Sequence, residues 1–337
     1  MARREGVLSR EDAGGPNESA VEYSRTFGTG HQVWAFVEPS VTDAPQRCGY
    51  VAILGRPNVG KSTLLNVVLR QKISITSRKP QTTRHNLLGI DTEGPCQAIY
   101  VDTPGIHAGA AREVERRMVR AAASVVRDVD LVVMLVDRDR WTGADALVLR
   151  HVQRSGAPAF ATINKVDLLR EKTALLPVID RLAGLGAFEE ILPISALKRD
   201  GVEAFREAVF ARLPEHAHLF PPDQLTDRNE RFLAGEIIRE KLVRRLGDEL
   251  PHRAAVTIES FEETQDLVEI RADIVVERSG QKRIVIGREG GKLKSIGSDA
   301  RRDLEIMLGR KVMLHLWVRV RAGWTDDRAR LDRMGHE

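Results

Sequence analysis

The chain has 337 residues, enough for two ordinary domains, and its 42% hydrophobic and 30% charged residues are normal for a globular protein. It has two cysteines, Cys48 and Cys96, without the paired spacing of a disulfide framework or a Cys-ligated metal site, which favours a reducing compartment. No apolar run approaches the roughly 18 residues of a membrane span, and no secretory signal pattern is present. We therefore expect a cytoplasmic location.

The first half of the chain predicts an α/β domain. Residues 1–46 lack apolar periodicity, and we expect a disordered leader there. Residues 47–213 alternate short apolar runs with helical segments, which is typical of a largely parallel sheet with crossover helices. The predicted strands are Tyr50–Leu54, Ala98–Val101, Leu131–Val136, Phe160–Ile163 and Ile191–Ile194, and the predicted helices include Val114–Val126 and Asp145–Ser155.

The prolines in residues 214–224 indicate a linker, and residues 225–330 predict a smaller α+β domain. Its first helix has Asp227 as the expected cap, with Glu230 three residues later. An apolar helical face follows, formed by Phe232, Leu233, Ile237, Ile238, Leu242 and Leu246. The remaining predicted elements are strands at Ala255–Phe261 and Leu267–Val276, a Gly-rich turn at 287–291, a helix at Lys292–Met307 and a strand at Val312–Val320.

The segment Gly55–Ser62 matches the Walker A pattern, between a predicted strand and a predicted helix at Ser62–Leu69. Its glycines let backbone N–H groups turn toward phosphate oxygens, and the helix N terminus adds positive potential. We expect Lys61 to contact the β- and γ-phosphates and the Ser62 hydroxyl to reach Mg²⁺. The predicted nucleotide-binding residues of this loop are Gly55, Asn58, Val59, Gly60, Lys61, Ser62 and Thr63.

Asp102 and Gly105 belong to an Asp-Thr-Pro-Gly segment at the end of a predicted strand. An acid there can hold Mg²⁺ through water, and Gly105 can offer its backbone N–H to the γ-phosphate. A threonine hydroxyl between the two motifs can complete Mg²⁺ coordination when the γ-phosphate is present; we favour Thr83, with Thr82 as the alternative. The candidate catalytic residues are thus Lys61, Thr83 and Gly105, and the candidate metal ligands are Ser62, Thr83 and Asp102.

The segment Asn164–Asp167 follows another predicted strand and predicts recognition of guanine. The Asp167 carboxylate can accept hydrogen bonds from N1–H and N2–H₂ of guanine, a donor pair that adenine lacks. We expect Asn164 to tie loops together beside the base and Lys165 to lay its alkyl stem over the ring. After the next strand come Ser195 and Ala196, and the Ala196 N–H can donate to guanine O6.

Gly287–Gly290 fits the GXXG loop of a KH fold, in which glycines let the backbone approach nucleic-acid phosphates. Ile286, Leu293 and Ile296 have the spacing to line an apolar groove for bases. The stretch from Lys282 to Arg321 holds eleven Lys or Arg and four Asp or Glu, a balance of +7 against +4 for the chain, which indicates a phosphate-rich partner or else a solvated helix face. The candidate RNA-binding residues are Ile286, Gly287, Arg288, Glu289, Gly290, Lys292, Lys294 and Arg301.

Three residues of this region depart from a simple RNA interface. Glu289 places an acid in the loop that faces phosphate, where it should weaken binding. Trp317 and Trp324 can stack on bases, but we interpret them in preference as core or domain-contact residues, and His315 as structural.

These segments together resemble one family closely, the Era family of ribosome-assembly GTPases. The resemblance is carried by Gly55–Asn66, Ile73–His85, Asp102–Gly105, Asn164–Asp167 and Val285–Gly297. It implies a Ras-like P-loop G domain followed by a smaller type II KH domain, with GTP and GDP as ligands. It also implies binding to the 3′ end of 16S ribosomal RNA, maturation of the 30S subunit, a monomer that does not bind DNA, and peripheral association with the inner face of the membrane.

One position departs from the Ras pattern. Ile106 stands where Ras-like enzymes carry a water-orienting Gln, and an isoleucine cannot orient water, so we expect slow intrinsic hydrolysis or another device. Relatives with a hydrophobic residue here can use a potassium ion near a P-loop Asn, and Asn58 is in that position. Potassium activation is therefore a hypothesis, with loop packing as the alternative role of Asn58.

Three other functions are alternatives to this one. An RNA-binding assembly factor could use GTP mainly as a structural ligand. A P-loop kinase conflicts with the guanine-reading segment Asn164–Asp167, and a tRNA-modifying GTPase does not suit the KH-like end.

Overall fold

The structure, a computed structural model, describes residues 45–77, 87–103, 105, 128–138, 140–246 and 254–323. Apart from residues 45 and 46, the predicted leader lies outside this range. The predicted helix Val114–Val126 also lies outside it, as do Thr82, Thr83, Ile106 and Trp324. Residues 45–213 are called the N-terminal part below, and residues 230–323 the C-terminal part.

The N-terminal part is built on a six-stranded sheet with strand order β2-β3-β1-β4-β5-β6. Its strands are β1 (Arg47–Leu54), β2 (Leu87–Glu93), β3 (Cys96–Asp102), β4 (Leu131–Asp137), β5 (Ala159–Asn164) and β6 (Glu190–Pro193). The prediction of a largely parallel sheet is confirmed, because every neighbouring pair except β2 and β3 runs parallel. The antiparallel edge strand β2 was not predicted. It buries Asp91, whose carboxylate accepts two hydrogen bonds of 2.8 Å from the Arg206 guanidinium.

Helices cover both faces of this sheet. They are α1 (Lys61–Val68), α2 (Gly143–Ser155), α3 (Leu176–Gly184) and α4 (Val202–Arg212). One apolar cluster joins the sheet to α1 and α4, and a second joins it to α2 and α3. Since parallel strands bring their carboxyl ends to one edge, this arrangement collects the loops after β1, β3, β5 and β6 in one place.

The predicted linker follows a fixed path along the first sheet. The buried Gln97 side chain accepts the N–H groups of Leu219 and Phe220 at 2.9 and 3.0 Å, and it donates to the Phe220 carbonyl at 2.8 Å. Further along, the Ile90 N–H donates to the Leu225 carbonyl at 2.9 Å. The segment is therefore anchored to β2 and β3, and the contacts with β2 continue to Asp227, which accepts the Leu88 N–H.

The C-terminal part contains the three-stranded sheet β7-β8-β9 with three helices. In chain order its elements are α5 (Glu230–Arg245), β7 (Ala254–Glu263), β8 (Leu267–Val276), α6 (Ser279–Ile286), α7 (Gly291–Leu308) and β9 (Lys311–Val320). Strands β7 and β8 are antiparallel, β8 and β9 are parallel, and α6 and α7 make the crossover between the parallel pair. An α/β domain followed by a smaller α+β domain is thus confirmed.

In this part, one local prediction is wrong and one helix was not predicted. The α5 helix is capped by Asn229, whose side chain accepts the Phe232 N–H at 2.9 Å, while the predicted cap Asp227 accepts the Leu88 N–H instead. Helix α6 was not predicted, because Ile284–Ile286 is a β-branched run that disfavours a helix. The Gln281 side chain starts that helix by accepting the N–H groups of Glu277 and Arg278. Within the described ranges, no helix has the length and apolar character to cross a membrane.

Candidate functional site

The loop between β1 and α1 adopts a conformation that requires glycine. Gly60 has φ +107°, and a Cβ there would lie 2.3 Å from Nδ2 of Asn164. At Gly55, with φ +158°, a Cβ would lie 2.9 Å from the Leu135 carbonyl oxygen. The backbone of the Walker A segment is therefore pressed against β4 and against the loop after β5.

Lys61 places a buried cation inside this loop. Its ammonium donates to the carbonyls of Gly55 and Arg56 at 3.0 and 3.2 Å. Burial lowers the pKa of Lys61 to about 8, although the Asp102 carboxylate acts in the opposite direction. The ammonium stands at the N terminus of α1, where an anion is favoured by both charge and helix dipole.

Asp102 at the end of β3 lies beside Ser62. Its Oδ2 accepts hydrogen bonds from the Ser62 hydroxyl at 2.7 Å and from the Ser74 hydroxyl at 2.8 Å. A carboxylate and a hydroxyl form the kind of oxygen set that Mg²⁺ prefers, so these residues fit the predicted ion. The third predicted ligand, Thr83, is outside the described residues.

The loop after β5 is joined to the Walker A segment and to the loop after β6. The Asn164 side chain donates to the Val59 carbonyl at 2.8 Å and accepts the Ala196 N–H at 3.0 Å. The Lys165 ammonium donates to the carbonyl of Asn58 at 2.6 Å. Asn164 and Lys165 thus fix the distance between the phosphate loop and the loop after β5.

Asp167 lies next to these groups, and a hydrogen bond holds one of its carboxylate oxygens. The Ser195 hydroxyl donates to its Oδ1 at 2.5 Å. The predicted donation from the Ala196 N–H to guanine O6 stays a prediction; in this structure that N–H donates to the Asn164 side chain. The Ser195 hydroxyl therefore orients the Asp167 carboxylate.

These loops enclose a cavity of about 970 Å³. The predicted residues that line it are Asn58, Gly60, Lys61, Ser62, Thr63, Gly105, Asn164, Lys165 and Asp167. The other predicted residues, Gly55, Val59, Asp102, Ser195 and Ala196, are buried behind the cavity wall, where they support its lining. Seven further residues line it that were not predicted, namely Pro57, Ile75, Thr76, Ser77, Leu168, Leu197 and Arg244. Arg244 comes from α5, and no sequence signal places that helix at the cavity.

The GXXG segment forms the tight connection between α6 and α7. Gly287 and Gly290 have φ +74° and +76°, and Arg288 and Glu289 are exposed at the tip between them. A Cβ at Gly287 would lie 2.7 Å from Cβ of Lys292, so the turn packs closely on the start of α7. Both glycines are therefore required by the backbone.

A groove of about 550 Å³ runs beside this loop between α7 and β9. Leu293 lines it as predicted. The candidate phosphate-contacting residues Gly290, Lys294 and Arg301 also line it, together with Met313, Leu314 and Leu316 of β9. The prediction for Ile296 is wrong, since its side chain is fully buried in the core, and Ile286 packs against the same core cluster. The periodicity that identified Ile296 is that of the core-facing side of α7.

Trp317 is also corrected by the structure. Its side chain is 47% exposed and stacks on the His315 ring with centroids 5.9 Å apart. The interpretation of Trp317 as a core residue is therefore wrong, because its position on β9 points away from the helices that cover the other face.

Comparisons with known proteins find matches for both parts of the chain. The family described as "50S ribosome-binding GTPase" matches residues 50–165, and the KH domain family matches residues 249–325. GTPase Era of Ectopseudomonas mendocina is 54% identical over 297 residues, covering 88% of this chain and 99% of its own. GTPase Era of Pseudomonas syringae pv. tomato is 52% identical, covering 86% and 97%.

Two solved structures resemble the whole fold. One is Era in complex with MgGDPNP and nucleotides 1506–1542 of 16S ribosomal RNA, and the other is an Aquifex aeolicus Era variant bound to GDP·AlF₄⁻. Each matches with a TM-score of 0.83 and 36% identity, over 86% of this chain and 99% of the other. With both family matches and relatives that align over nearly their full length, the chain belongs to the Era family of GTPases.

Proposed function

We propose that this protein is a GTP-hydrolysing switch that binds the 3′ end of 16S ribosomal RNA and assists maturation of the 30S subunit. The observation that carries the proposal is the match over 86% of the chain to an Era structure that holds both MgGDPNP and nucleotides 1506–1542 of that RNA. The cavity at the Walker A loop and the groove at the GXXG loop supply one site for each of these two ligands.

In the proposed reaction the N-terminal part holds the triphosphate and polarises it. Lys61 and the N terminus of α1 offset the charge on the β- and γ-phosphates. Ser62, Asp102 and Thr83 would hold Mg²⁺, which would supply neutralisation of the negative charge on the triphosphate. Gly105 approaches the Walker A loop closely enough that a Cβ would lie 2.8 Å from the Pro57 nitrogen, which suits its proposed backbone contact to the γ-phosphate.

Selection of guanine rests on Asp167. An adenine base would leave this carboxylate without its two donors in a partly enclosed cavity, and an unpaired charge there is costly. Exposed Leu168 and Leu197 line the same cavity and offer apolar surface to the base.

Proposed RNA contacts lie along one side of the C-terminal part. The backbone at Gly287 and Gly290 meets phosphates, Lys292, Lys294 and Arg301 add charge, and Leu293 presents an apolar surface to splayed bases. Arg288 and Glu289 stand together at the exposed tip, so we propose that Arg288 makes the phosphate contact and Glu289 turns away from it.

Single-turnover GTP hydrolysis, measured with and without an RNA of nucleotides 1506–1542, tests the proposed switch. We expect RNA to raise the hydrolysis rate by about tenfold or more, which corresponds to lowering the activation free energy by about 1.4 kcal/mol or more. The control is an RNA of the same length and scrambled sequence. An unchanged rate, together with equal RNA affinity in the GDP and GDPNP states, would favour the alternative in which GTP is only a structural ligand.

Potassium dependence is proposed from Asn58, which has φ +65° and lines the cavity. We expect GTP turnover to be faster in K⁺ than in Na⁺ buffer at equal ionic strength. Position 106 has no glutamine to organise the reacting groups, and a larger cation beside the P-loop would offset the negative charge that develops during hydrolysis. An Asn58→Asp variant, which keeps an oxygen ligand, serves for comparison. Equal rates in the two salts would reject the hypothesis.

Three further expectations rest on the sequence and on the family resemblance alone. Residence in the cytoplasm, a monomeric state and peripheral contact with the inner face of the membrane stay predictions.

A further inference from the structure

Thr76 stands at the rim of the nucleotide cavity, in a segment that the N-terminal part holds firmly. The Asn66 side chain of α1 accepts the N–H groups of Ile73 and Ser74 at 3.0 and 2.9 Å and donates to the Ser74 carbonyl at 2.6 Å. The Ser74 hydroxyl donates to Asp102, on the same oxygen that accepts from Ser62. The position of Thr76 is therefore tied to the proposed Mg²⁺ ligands through a short, hydrogen-bonded segment.

The other side of Thr76 is held entirely by helix α5 of the C-terminal part. Glu240 accepts the Thr76 N–H at 3.0 Å and its hydroxyl at 3.2 Å. Arg244 donates to the Thr76 carbonyl at 3.1 Å and to its hydroxyl oxygen at 3.0 Å. The N–H, the carbonyl and the hydroxyl of this one residue are all bound by two side chains one helical turn apart.

Glu240 is also the centre of a buried charge cluster. Its side chain is 0% exposed, and its carboxylate is bonded by Lys72 at 2.5 Å and Arg244 at 2.8 Å, with Lys241 at 3.3 Å. Burial alone would raise the pKa of Glu240, but the hydrogen bond and charge of Lys72 outweigh it, so the carboxylate stays ionised. Removing one partner of such a cluster leaves a buried charge uncompensated, so its geometry is strongly specified.

The cluster continues to the helix that borders the RNA groove. Asp303 of α7 accepts hydrogen bonds from Lys72 at 2.7 Å and from Lys241. Asp303 lies two positions after Arg301, which lines the groove, on the helix that begins at the GXXG loop. Polar contacts thus join Asp102 to Ser74, the chain leads from Ser74 to Thr76, and further polar contacts join Thr76 to Glu240 and, through Lys72, to Asp303 of α7.

We propose that Arg244 and Glu240 are positioning residues of the nucleotide site, supplied by the RNA-binding part, and that they couple nucleotide binding to RNA binding through Thr76. The inference rests on the proposed function and adds the residues that link its two sites. Arg244 is 47% exposed and lines the cavity, while Glu240 beneath it is fully buried. Arg244 therefore presents a polar side chain to the nucleotide site, and Glu240 anchors that side chain in the C-terminal part. Any shift of α5 on RNA binding then moves Thr76, and coupling between two binding events is reciprocal.

The test is a thermodynamic cycle on the full chain. The affinity for GDPNP is measured by calorimetry with and without a saturating RNA of nucleotides 1506–1542, and the ratio of the two values is the coupling factor. For the unmodified protein we expect a factor between about 5 and 150. The same factor must appear when RNA affinity is measured with and without GDPNP.

Arg244→Gln is expected to bring the coupling factor to within about twofold of one, because the variant keeps polarity but loses both donors to Thr76. The matched control is Arg245→Gln, the next residue on α5, which pairs with Asp299 of α7 and lies away from the cavity; it should keep the factor within about twofold. Thr76→Val removes the hydroxyl at nearly constant shape and should lower the factor by about twofold to fivefold. If Arg244→Gln fails to fold, Thr76→Val tests the inference in its place. Arg244→Lys should restore only part of the coupling factor.

Three results would overturn the inference. They are an unchanged factor in Arg244→Gln and Thr76→Val, an equal loss in Arg245→Gln, and a factor of one in an unmodified protein that binds both ligands. A protein that binds neither GDPNP nor the RNA would instead reject the proposed function itself, and the inference with it.

Discussion

Replacing Asp167 with asparagine is expected to lower GTP affinity by a factor on the order of 10³, because hydrogen bonds to a charged acceptor contribute about 1.5–3 kcal/mol each and the substitution removes two of them. The amide also places a donor against the donors of guanine. The geometry favours a large effect, since the Ser195 hydroxyl at 2.5 Å and the loop fixed by Asn164 leave the Asp167 carboxylate little freedom to retreat. Calorimetric titration with GDPNP measures the loss.

The same variant should gain affinity for a xanthine nucleotide, whose position 2 carries a carbonyl that an asparagine amide can meet as donor. Asp200→Asn is the matched control: Asp200 is an exposed acid near Ser195 that does not line the cavity, so its substitution should change GTP affinity by less than about twofold. Unaltered GTP binding by Asp167→Asn would show that another group reads the base.

Gly287→Asp and Gly290→Asp are each expected to weaken binding of the 1506–1542 RNA by about 100-fold or more while leaving GDPNP affinity within about twofold. Both positions have φ near +75°, where a side chain costs about 1–2 kcal/mol, and each new carboxylate would face phosphate. Gly290→Asp is the cleaner variant because a Cβ there meets nothing within 4 Å, whereas at Gly287 it also crowds Lys292. Fluorescence anisotropy with labelled RNA gives the affinities.

Gly309→Asp offers a close control for this pair. Gly309 ends α7 with φ +63°, and a Cβ there also meets nothing within 4 Å, so the variant adds the same strain and charge at the far end of the same helix. RNA affinity that falls as much in Gly309→Asp as in Gly290→Asp would assign the effect to general instability of the C-terminal part. Loss of nucleotide and RNA binding together would argue against two separate sites.

The parts of this protein that were predictable from sequence are those that local chemistry determines. The Walker A glycines, Asn164 and Asp167 each follow a buried strand, and the carboxyl ends of parallel strands must converge, so their meeting at one cavity could be anticipated. The GXXG loop was recognisable from its two glycines, which adopt the positive φ angles at positions 287 and 290 more readily than other residues do.

The parts that were missed depend on contacts between distant segments. Strand β2 buries Asp91, which is acceptable only because Arg206 of α4 meets it with two hydrogen bonds. Arg244 belongs to the polar side of α5, and periodicity identifies the apolar side of a helix without saying what the polar side will contact. Ile296 is the opposite case. It is an apolar residue near a binding loop and was assigned to the groove, but its side chain is buried in the core.

The anchoring of the linker by Gln97 has a consequence for how the two parts can separate. Since Leu219, Phe220, Leu225 and Asp227 are all hydrogen-bonded to the first sheet, only residues 228 and 229 lie between the last of these contacts and the start of α5. A tether this short keeps α5 at a high effective concentration beside Thr76 even while their contact is open. Breaking that contact is thus a local, rapidly reversible event. The N-terminal and C-terminal parts then re-form it without a diffusional search.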